Sequence, residues 1–312
     1  MHALLPEPGD DTTPERFRYP SQPQLQELSN RLRFFFASIK RKPRVLNTHG
    51  SLLGYKKYLP SLIQRLPYKI YDGLTLKLSA RKADAVVVSS KLEYEDALDF
   101  GIAREKLHII PMGIDVEEYG EEGGRAENGE PLNILFVGRI ARVRRIELLL
   151  QAVQRLTVPW SLTLVGGEEK TSSLSKSGYL RELETLCADL GIQDRVTFTG
   201  PKPPGELKSF YRSADLFAYP SLYENFAQPV LEAAAEGLPV IATPVGVVPE
   251  IVKDGETGFI VSGDPASISA RIEQLKEPKV RTEFGKRIRE KVRRQFGWDE
   301  IMKQYVQLYR SL

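Results

Sequence analysis

Two carboxylates eight residues apart, Glu224 and Glu232, stand in Pro220–Glu250, PSLYENFAQPVLEAAAEGLPVIATPVGVVPE. The first follows a short apolar run, Leu216–Tyr219, that reads as a buried strand. The second lies inside an Ala-rich helical stretch. One carboxylate at a strand's C-terminal end and one on the next helix can both face the crevice where open α/β sheets bind ligands. An ionised carboxylate only accepts hydrogen bonds, and several at once, which suits a hydroxyl-rich ligand: a sugar, a ribose, or both. A helix opening near Ala227 points free N–H groups into the same crevice, where its dipole stabilises an anion. The plainer alternatives are a loop or capping carboxylate for Glu224 and a surface ion pair for Glu232.

A second set of charged residues follows another apolar run. Ile134–Glu147 reads ILFVGRIARVRRIE: a strand, Gly138-Arg139, then Arg144 and Arg145 at a helix start. Glycine permits a tight turn and close ligand approach. Arginine at a strand-to-helix junction suits a diphosphate, because its planar fork matches phosphate oxygens and the helix N-terminus adds positive potential. The alternative is a basic, exposed helix start. Leu164–Lys170, LVGGEEK, is weaker, since paired glycines after a strand are ordinary punctuation. His49 sits between Thr48 and Gly50, where a strand gives way to a loop. With only His2 and His108 besides, a metal cluster is not expected. There is no G-x-G-x-x-G, so nicotinamide binding lacks its fingerprint. There is no G-x-x-x-x-G-K-[ST] and no D-x-D pair to hold a metal against a nucleotide. Neutralising a diphosphate here falls to arginines and helix dipoles.

The elements that must position these residues can be read from periodicity. Leu25, Leu28, Leu32, Phe35 and Ile39 recur at helical spacing over 24–41, with Phe34 and Phe36 widening the apolar face and Pro43 beyond it. Strands are expected at Val45–Thr48, Ala85–Ser89 and His108–Pro111, with helical patterning over Tyr55–Lys82 and a helix at Glu93–Phe100 stopped by Gly101. Glu117–Pro131, EEYGEEGGRAENGEP, reads as a linker. A second series follows, with strands at Ile134–Val137, Leu162–Val165, Val196–Thr199, Leu216–Tyr219, Val240–Ala242 and Phe259–Val261. Helices are expected between them at Arg145–Leu156, Leu180–Leu190, Pro204–Ser213, Pro229–Glu236 and Val248–Lys253, and through most of Glu273–Leu312. Alternation of this kind means βαβ units and parallel sheets.

The chain of 312 residues is long enough for two domains, and its composition is that of a soluble globular protein. Cys187 is the sole cysteine, which excludes an intrachain disulfide. No apolar run approaches the ~18 residues a membrane span needs, and the opening MHALLPEPGDDTTPE lacks a signal-peptide layout. The expectation is a cytoplasmic protein. Charge is uneven: Arg16–Lys82 holds 15 Lys/Arg against two acids, while Ala83–Gly120 holds three basic residues and nine acids. Such blocks point to an anionic partner surface, the alternative being a solvated basic face.

The motifs together resemble those of the retaining glycosyltransferases of family 4. They are the E-x7-E pair Glu224–Glu232 opening EAAAEGLPVIATPVGVVPEIV, the G-R-x-x-x-x-K motif as Gly138-Arg139 to Arg144, and ADAVVVSS…LHIIPMGID. The resemblance implies an α/β GT-B fold of two Rossmann-like domains with parallel sheets. Residues 1–120 would form an acceptor-side domain, here truncated at its front, and 131–293 the donor-binding domain. A C-terminal helix, 294–312, would cross back to the first. It implies that Arg139 and Arg144 bind a donor diphosphate, Glu224 the donor sugar and Glu232 the ribose. Gly138 and the amides of Asn225, Phe226, Ala227 and Gln228 would lie close to the donor, and His49 near the reaction centre. Catalytic roles fall to His49, Glu224, Arg139 and Arg144, with no metal and no cofactor beyond the nucleotide-diphosphate sugar. The chain departs from the pattern at Arg144, a lysine in the family, and at Glu224-Asn225-Phe226-Ala227, where the family has E-G-F-G. There Asn225 is expected to tolerate left-handed backbone, and Ala227 to crowd the sugar.

The expected function is retaining sugar transfer to a glycan or lipid-linked acceptor at the cytoplasmic membrane face, where the basic segment meets anionic lipid. The rival is a non-catalytic nucleotide-sugar-binding subunit. There a partner subunit or self-association supplies the missing front and covers an open sheet edge. Nucleic acid is not an expected partner, for want of any recognisable binding motif.

Overall fold

The computed structural model describes residues 43–48, 66, 70, 72–120, 131–169 and 178–312. His49, the helical reading at 24–41, most of 55–71 and the centre of the linker lie outside the described residues.

Within those bounds the strands form two parallel sheets. The first has the order β1-β2-β3, from β1 (Val45–Asn47), β2 (Ala85–Val88) and β3 (Leu107–Ile109). The central β2 is buried throughout, as its unbroken apolar sequence requires of a strand covered on both faces. Val86 and Val88 face a cluster with Leu76 and Ala80 of α1 (Leu76–Lys82) and Ala97 and Phe100 of α2 (Lys91–Phe100). Ala85 and Val87 face the other way. There they meet Ile301 and Leu308 of the last helix, α10 (Trp298–Ser311), while the Tyr305 hydroxyl accepts from Asn47 Nδ2 at 3.0 Å.

The second sheet has six strands: β4 (Leu132–Val137), β5 (Trp160–Val165), β6 (Val196–Gly200), β7 (Leu216–Tyr219), β8 (Val240–Ala242) and β9 (Gly258–Ile260). Their order is β6-β5-β4-β7-β8-β9. The chain winds outward from β4 in one direction and then returns to pair β7 beside β4, Ile134 against Leu216 and Leu135 against Phe217. The reversal makes β4/β7 the topological switch point, and the crevice beyond its C-terminal ends is where such sheets bind ligands. The strands expected from sequence are all present, with ends shifted by up to two residues.

The helices are α3 (Ile146–Val153), α4 (Tyr179–Asp189), α5 (Pro204–Ser213), α6 (Gln228–Glu236), α7 (Val248–Ile251), α8 (Pro265–Gln274) and α9 (Pro278–Phe296). Helix α8 starts eight residues before the tail reading began. Its signal was local: Asp264 accepts from Ser267 N at 2.8 Å, and Pro265 takes the first helical position. Gly285 lets α9 pack closely on α6, since a Cβ there would lie 2.1 Å from the Gly237 carbonyl oxygen.

Candidate functional site

Gly138-Arg139 leaves the end of β4, and Pro220–Glu224 leaves the end of β7, so both enter the switch-point crevice. The turn after β4 is fixed by its neighbour after β5. Ile140 donates to the Gly167 carbonyl at 2.8 Å, and Glu169 N to that of Ile140 at 3.1 Å. Gly166 has φ 149°, and a Cβ on it would sit 1.8 Å from the Gly138 carbonyl oxygen. The LVGGEEK segment is therefore part of the site's frame. It sets Glu169 against the exposed Arg139 guanidinium as an ion pair, while Glu168 accepts from Gly178 N at 2.7 Å before α4.

Arg144 is buried, at 6% exposure. It is ion-paired to Glu224 and donates to Ser221 Oγ (3.2 Å) and the Tyr223 carbonyl (3.1 Å). Its guanidinium lies 5.8 Å from the Tyr219 ring centroid. Arg145 points elsewhere, donating to the carbonyls of Pro220 (2.9 Å) and Ser221 (3.3 Å). Both arginines thus hold the loop after β7, and Arg144 also pairs with its Glu224. Glu224 also accepts from the Tyr219 hydroxyl. Burial, then the charge of Glu224, holds that hydroxyl protonated far above the usual tyrosine range. Tyr219 is a permanent donor, and with Arg144 it fixes one carboxylate edge.

Glu232 lies half-buried in the second turn of α6. It accepts from the Tyr211 hydroxyl at 2.8 Å and from Gln228. Tyr211 is fully buried and, like Tyr219, kept protonated by that burial. Burial raises the Glu232 pKa above its ordinary 4.5, and the two hydrogen bonds offset part of the rise. The ion pair in this helix belongs instead to Glu236, itself buried, with Arg212 at 3.6 Å.

Asn225, Phe226, Ala227 and Gln228 form the turn between the carboxylates. The left-handed residue is Ala227 (φ 68°), not Asn225 as expected, and its side chain is buried rather than thrust into the crevice. The Asn225 side-chain amide is engaged instead by the Tyr223 hydroxyl. Gly246 backs the turn: a Cβ there would lie 2.4 Å from the Phe226 carbonyl oxygen, to which Val247 N donates at 2.8 Å. No side chain caps α6, and Pro229 lacks an N–H. Two buried polar atoms at the site, Arg144 Nε and Gln228 Oε1, have no partner among the described residues. An unmatched donor and an unmatched acceptor are costly in a protein interior, and they suit a ligand carrying both phosphate oxygens and hydroxyls.

The first sheet contributes its own side. Ser90 Oγ donates to the Asn225 carbonyl at 2.8 Å, and Lys91 N to Glu250 Oε1 at 2.9 Å. The Tyr223 hydroxyl lies 3.3 Å from Asp96 Oδ2. The N-terminus of α2 therefore rests on the loop that carries Glu224. His49 lies outside the described residues. Thr48, directly before it, donates to Glu93 Oε1 at 2.7 Å, which ties the end of β1 to α2. The structure thus brings together Gly138, Arg139, Arg144, Glu224, Asn225, Phe226, Ala227, Gln228 and Glu232. Sequence reasoning missed the residues that hold them: Tyr211, Tyr219, Ser221, Tyr223 and Glu169. Only Tyr219, at the end of a predicted strand, carried a positional signal.

Residues 121–294 match the family model described as glycosyl transferases group 1, and residues 28–118 that of glycosyltransferase family 4. The first match covers more than half of the chain, which belongs to that family. A D-inositol 3-phosphate glycosyltransferase of Corynebacterium urealyticum is 33% identical over 249 residues, 74% of this chain and 57% of that protein. One of Nocardia farcinica is 36% identical over 195 residues, 58% of this chain and 42% of that protein. The chain spans about half the length of the curated relatives it matches. Sucrose-phosphate synthase from Thermosynechococcus elongatus aligns with a TM-score of 0.71 at 31% identity, over 86% of this chain and 67% of that one. Anabaena Alr3699/HepE, in complex with UDP and glucose, aligns with a TM-score of 0.75 at 20% identity, over 90% and 76%. The α/β architecture with parallel sheets is the GT-B fold expected from the motifs.

Proposed function

We propose that the chain binds a nucleoside-diphosphate sugar in the β4/β7 crevice and transfers the sugar with retention to an acceptor. What supports this is the Arg144–Glu224 pair and the Arg139–Glu169 pair beyond the ends of β7 and β4, with Glu232 on the uncapped helix α6 that follows. In this reading Glu232 accepts from the ribose hydroxyls and the outer lone pairs of Glu224 from the sugar. Arg139 and Arg144 meet the diphosphate, assisted by the α6 dipole. Each arginine is already held by a carboxylate, so it is oriented before the ligand arrives and little reorganisation accompanies binding. The family resemblance assigns His49, next in sequence after Thr48, a contact to the donor sugar. The leaving phosphate takes the acceptor's proton on the same face, so no protein nucleophile is required. The complex of HepE with UDP and glucose supports the ligand class. The names of the D-inositol 3-phosphate glycosyltransferases favour a phosphorylated acceptor, which the basic segment 16–82 suits. A cytoplasmic membrane face is the setting we favour. Among the described residues no helix is long and apolar enough to cross a membrane.

The test is a thermal-shift and calorimetric screen of the full chain against UDP-, GDP- and ADP-sugars, with Glu232→Ala as control. A ligand that binds the folded chain raises its melting temperature. One nucleotide that stabilises the wild type but not the variant supports the reading. A well-folded chain that binds none of them removes it.

A further inference from the structure

Helix α10 carries more apolar surface than the described residues cover. Ile301, Tyr305 and Leu308 pack on the first sheet. Trp298, Met302, Val306 and Tyr309 follow one another at spacings of four, four and three, which places them on one adjoining stripe. They are 50%, 49%, 43% and 46% exposed. Single exposed apolar side chains are ordinary, but a contiguous row along one helix face marks an interaction surface. Trp298 is anchored from behind, its ring pressed on Gly113, where a Cβ would lie 2.5 Å from it. Rigid aromatic anchors of this kind carry much of the energy of interfaces.

The charges beside the stripe identify the partner. Asp299 near the start of α10 and Arg310 near its end line the same shallow groove as Met302 and Val306. Neither has an ion-pair partner in the chain among the described residues, whereas Lys303 is paired with Glu300. One edge of the stripe is therefore acidic at one end and basic at the other. We propose that this stripe is a homodimer interface in which two copies of α10 pack antiparallel about a two-fold axis, Asp299 of each facing Arg310 of the other. An antiparallel two-fold brings like edges together and makes each pair twice. It centres Met302 and Val306 on the axis and sets Trp298 of one copy near Tyr309 of its mate. The helix dipoles then oppose favourably as well.

Sedimentation velocity and light scattering on the full chain, over a concentration series, test this. Wild type is expected at twice the chain mass, and Met302→Glu as a monomer with an unchanged far-UV spectrum. Asp299→Arg and Arg310→Asp, each made alone, place like charges together and weaken dimerisation about tenfold or more. The doubly swapped variant restores it to within roughly threefold of wild type, a rescue that loss of folding cannot imitate. A wild type that stays monomeric at roughly 100 µM, well above the range of specific interfaces, overturns the proposal. Dimers indifferent to Met302→Glu, or a double swap that fails to rescue, overturn it equally. Two further results do so while naming another occupant. A monomer that sediments with anionic vesicles through Met302 marks a lipid surface. A monomer destabilised by Met302→Glu marks cover from elsewhere in its own chain.

Discussion

Replacing Glu232 by glutamine separates the cost of this side chain from its use. Burial raises the Glu232 pKa above 4.5, with partial relief from Tyr211 and Gln228. A raised pKa means that the folded chain holds the proton more tightly than the unfolded one. The resulting stabilisation is complete below pH 4.5 and is lost as pH rises through the folded value. At pH 7 the charged carboxylate therefore lowers stability. Glu232→Gln removes the charge and keeps an acceptor for the Tyr211 hydroxyl. It also offers an N–H to Gln228 Oε1, which is buried without a partner among the described residues. The expected gain is of order 1 kcal/mol, or about 2–4 °C in Tm, shrinking towards zero below pH 4.5. Donor affinity moves the other way. Losing charge-assisted bonds to ribose hydroxyls costs about 1.5–3 kcal/mol, roughly 10- to 150-fold in Kd. Melts at pH 7 and pH 4 with calorimetry against the preferred nucleotide sugar read both effects. A fall in Tm at pH 7 would show that Glu232 serves mainly to hold Tyr211. A rise in Tm with unchanged affinity would show that the carboxylate does not meet the ligand. Either result refutes the reasoning.

Four other substitutions probe the frame around the crevice. Arg144→Met leaves the half-buried Glu224 beside Tyr219 without its counter-charge and should cost about 3 kcal/mol. Arg139→Met, at a guanidinium side chain that is 61% exposed, should cost under about 1 kcal/mol; denaturant titrations of the two variants compare them directly. Gly166→Ala forces a Cβ into the Gly138 carbonyl at a backbone angle that L-residues avoid, so a loss of at least about 2 kcal/mol is expected by the same titration. Tyr219→Phe removes the donor that orients Glu224; it should cost about 1 kcal/mol in a melt while lowering donor affinity several-fold by calorimetry.

Much of the architecture was legible because parallel strands buried on both faces leave unbroken apolar runs. Leu216–Tyr219 and Val240–Ala242 were bounded to the residue, and Pro204–Ser213 likewise, with Pro204 marking its first turn. The site's charged residues were legible as pairs at set spacings, because a strand end and the next helix face one crevice. The supports were not. Tyr211 reaches Glu232 from α5, twenty-one residues earlier, and Glu169 reaches Arg139 across thirty. No local pattern reports a contact that exists only once β4, β5 and β7 lie side by side. The turn Asn225–Ala227 was misassigned for a related reason. Left-handed propensity favours Asn over Ala, but the Tyr223 hydroxyl engages the Asn225 side chain, and the αL position falls to Ala227.

That displacement belongs to a wider pattern. A non-glycine residue in αL costs about 1–2 kcal/mol, yet Ala227 adopts it at the entrance to α6. Arg145, the other non-glycine residue with positive φ among those described, enters α3 in the same crevice. Next to these two turns in sequence are the polar atoms of Arg144 and Gln228 that are unmatched among the described residues, and the desolvated Glu232 follows one turn further along α6. The six-stranded sheet elsewhere obeys local rules: apolar strands, proline-led helices and an Asp264 cap. Where local preference is overridden at several adjoining positions, the surrounding fold must supply the compensation, and such clusters gather at functional sites. The β4/β7 crevice is therefore marked as the working part of the chain by its costs as well as by its motifs. Relieving those costs one at a time, as Glu232→Gln does, should yield a more stable protein that binds its donor less well.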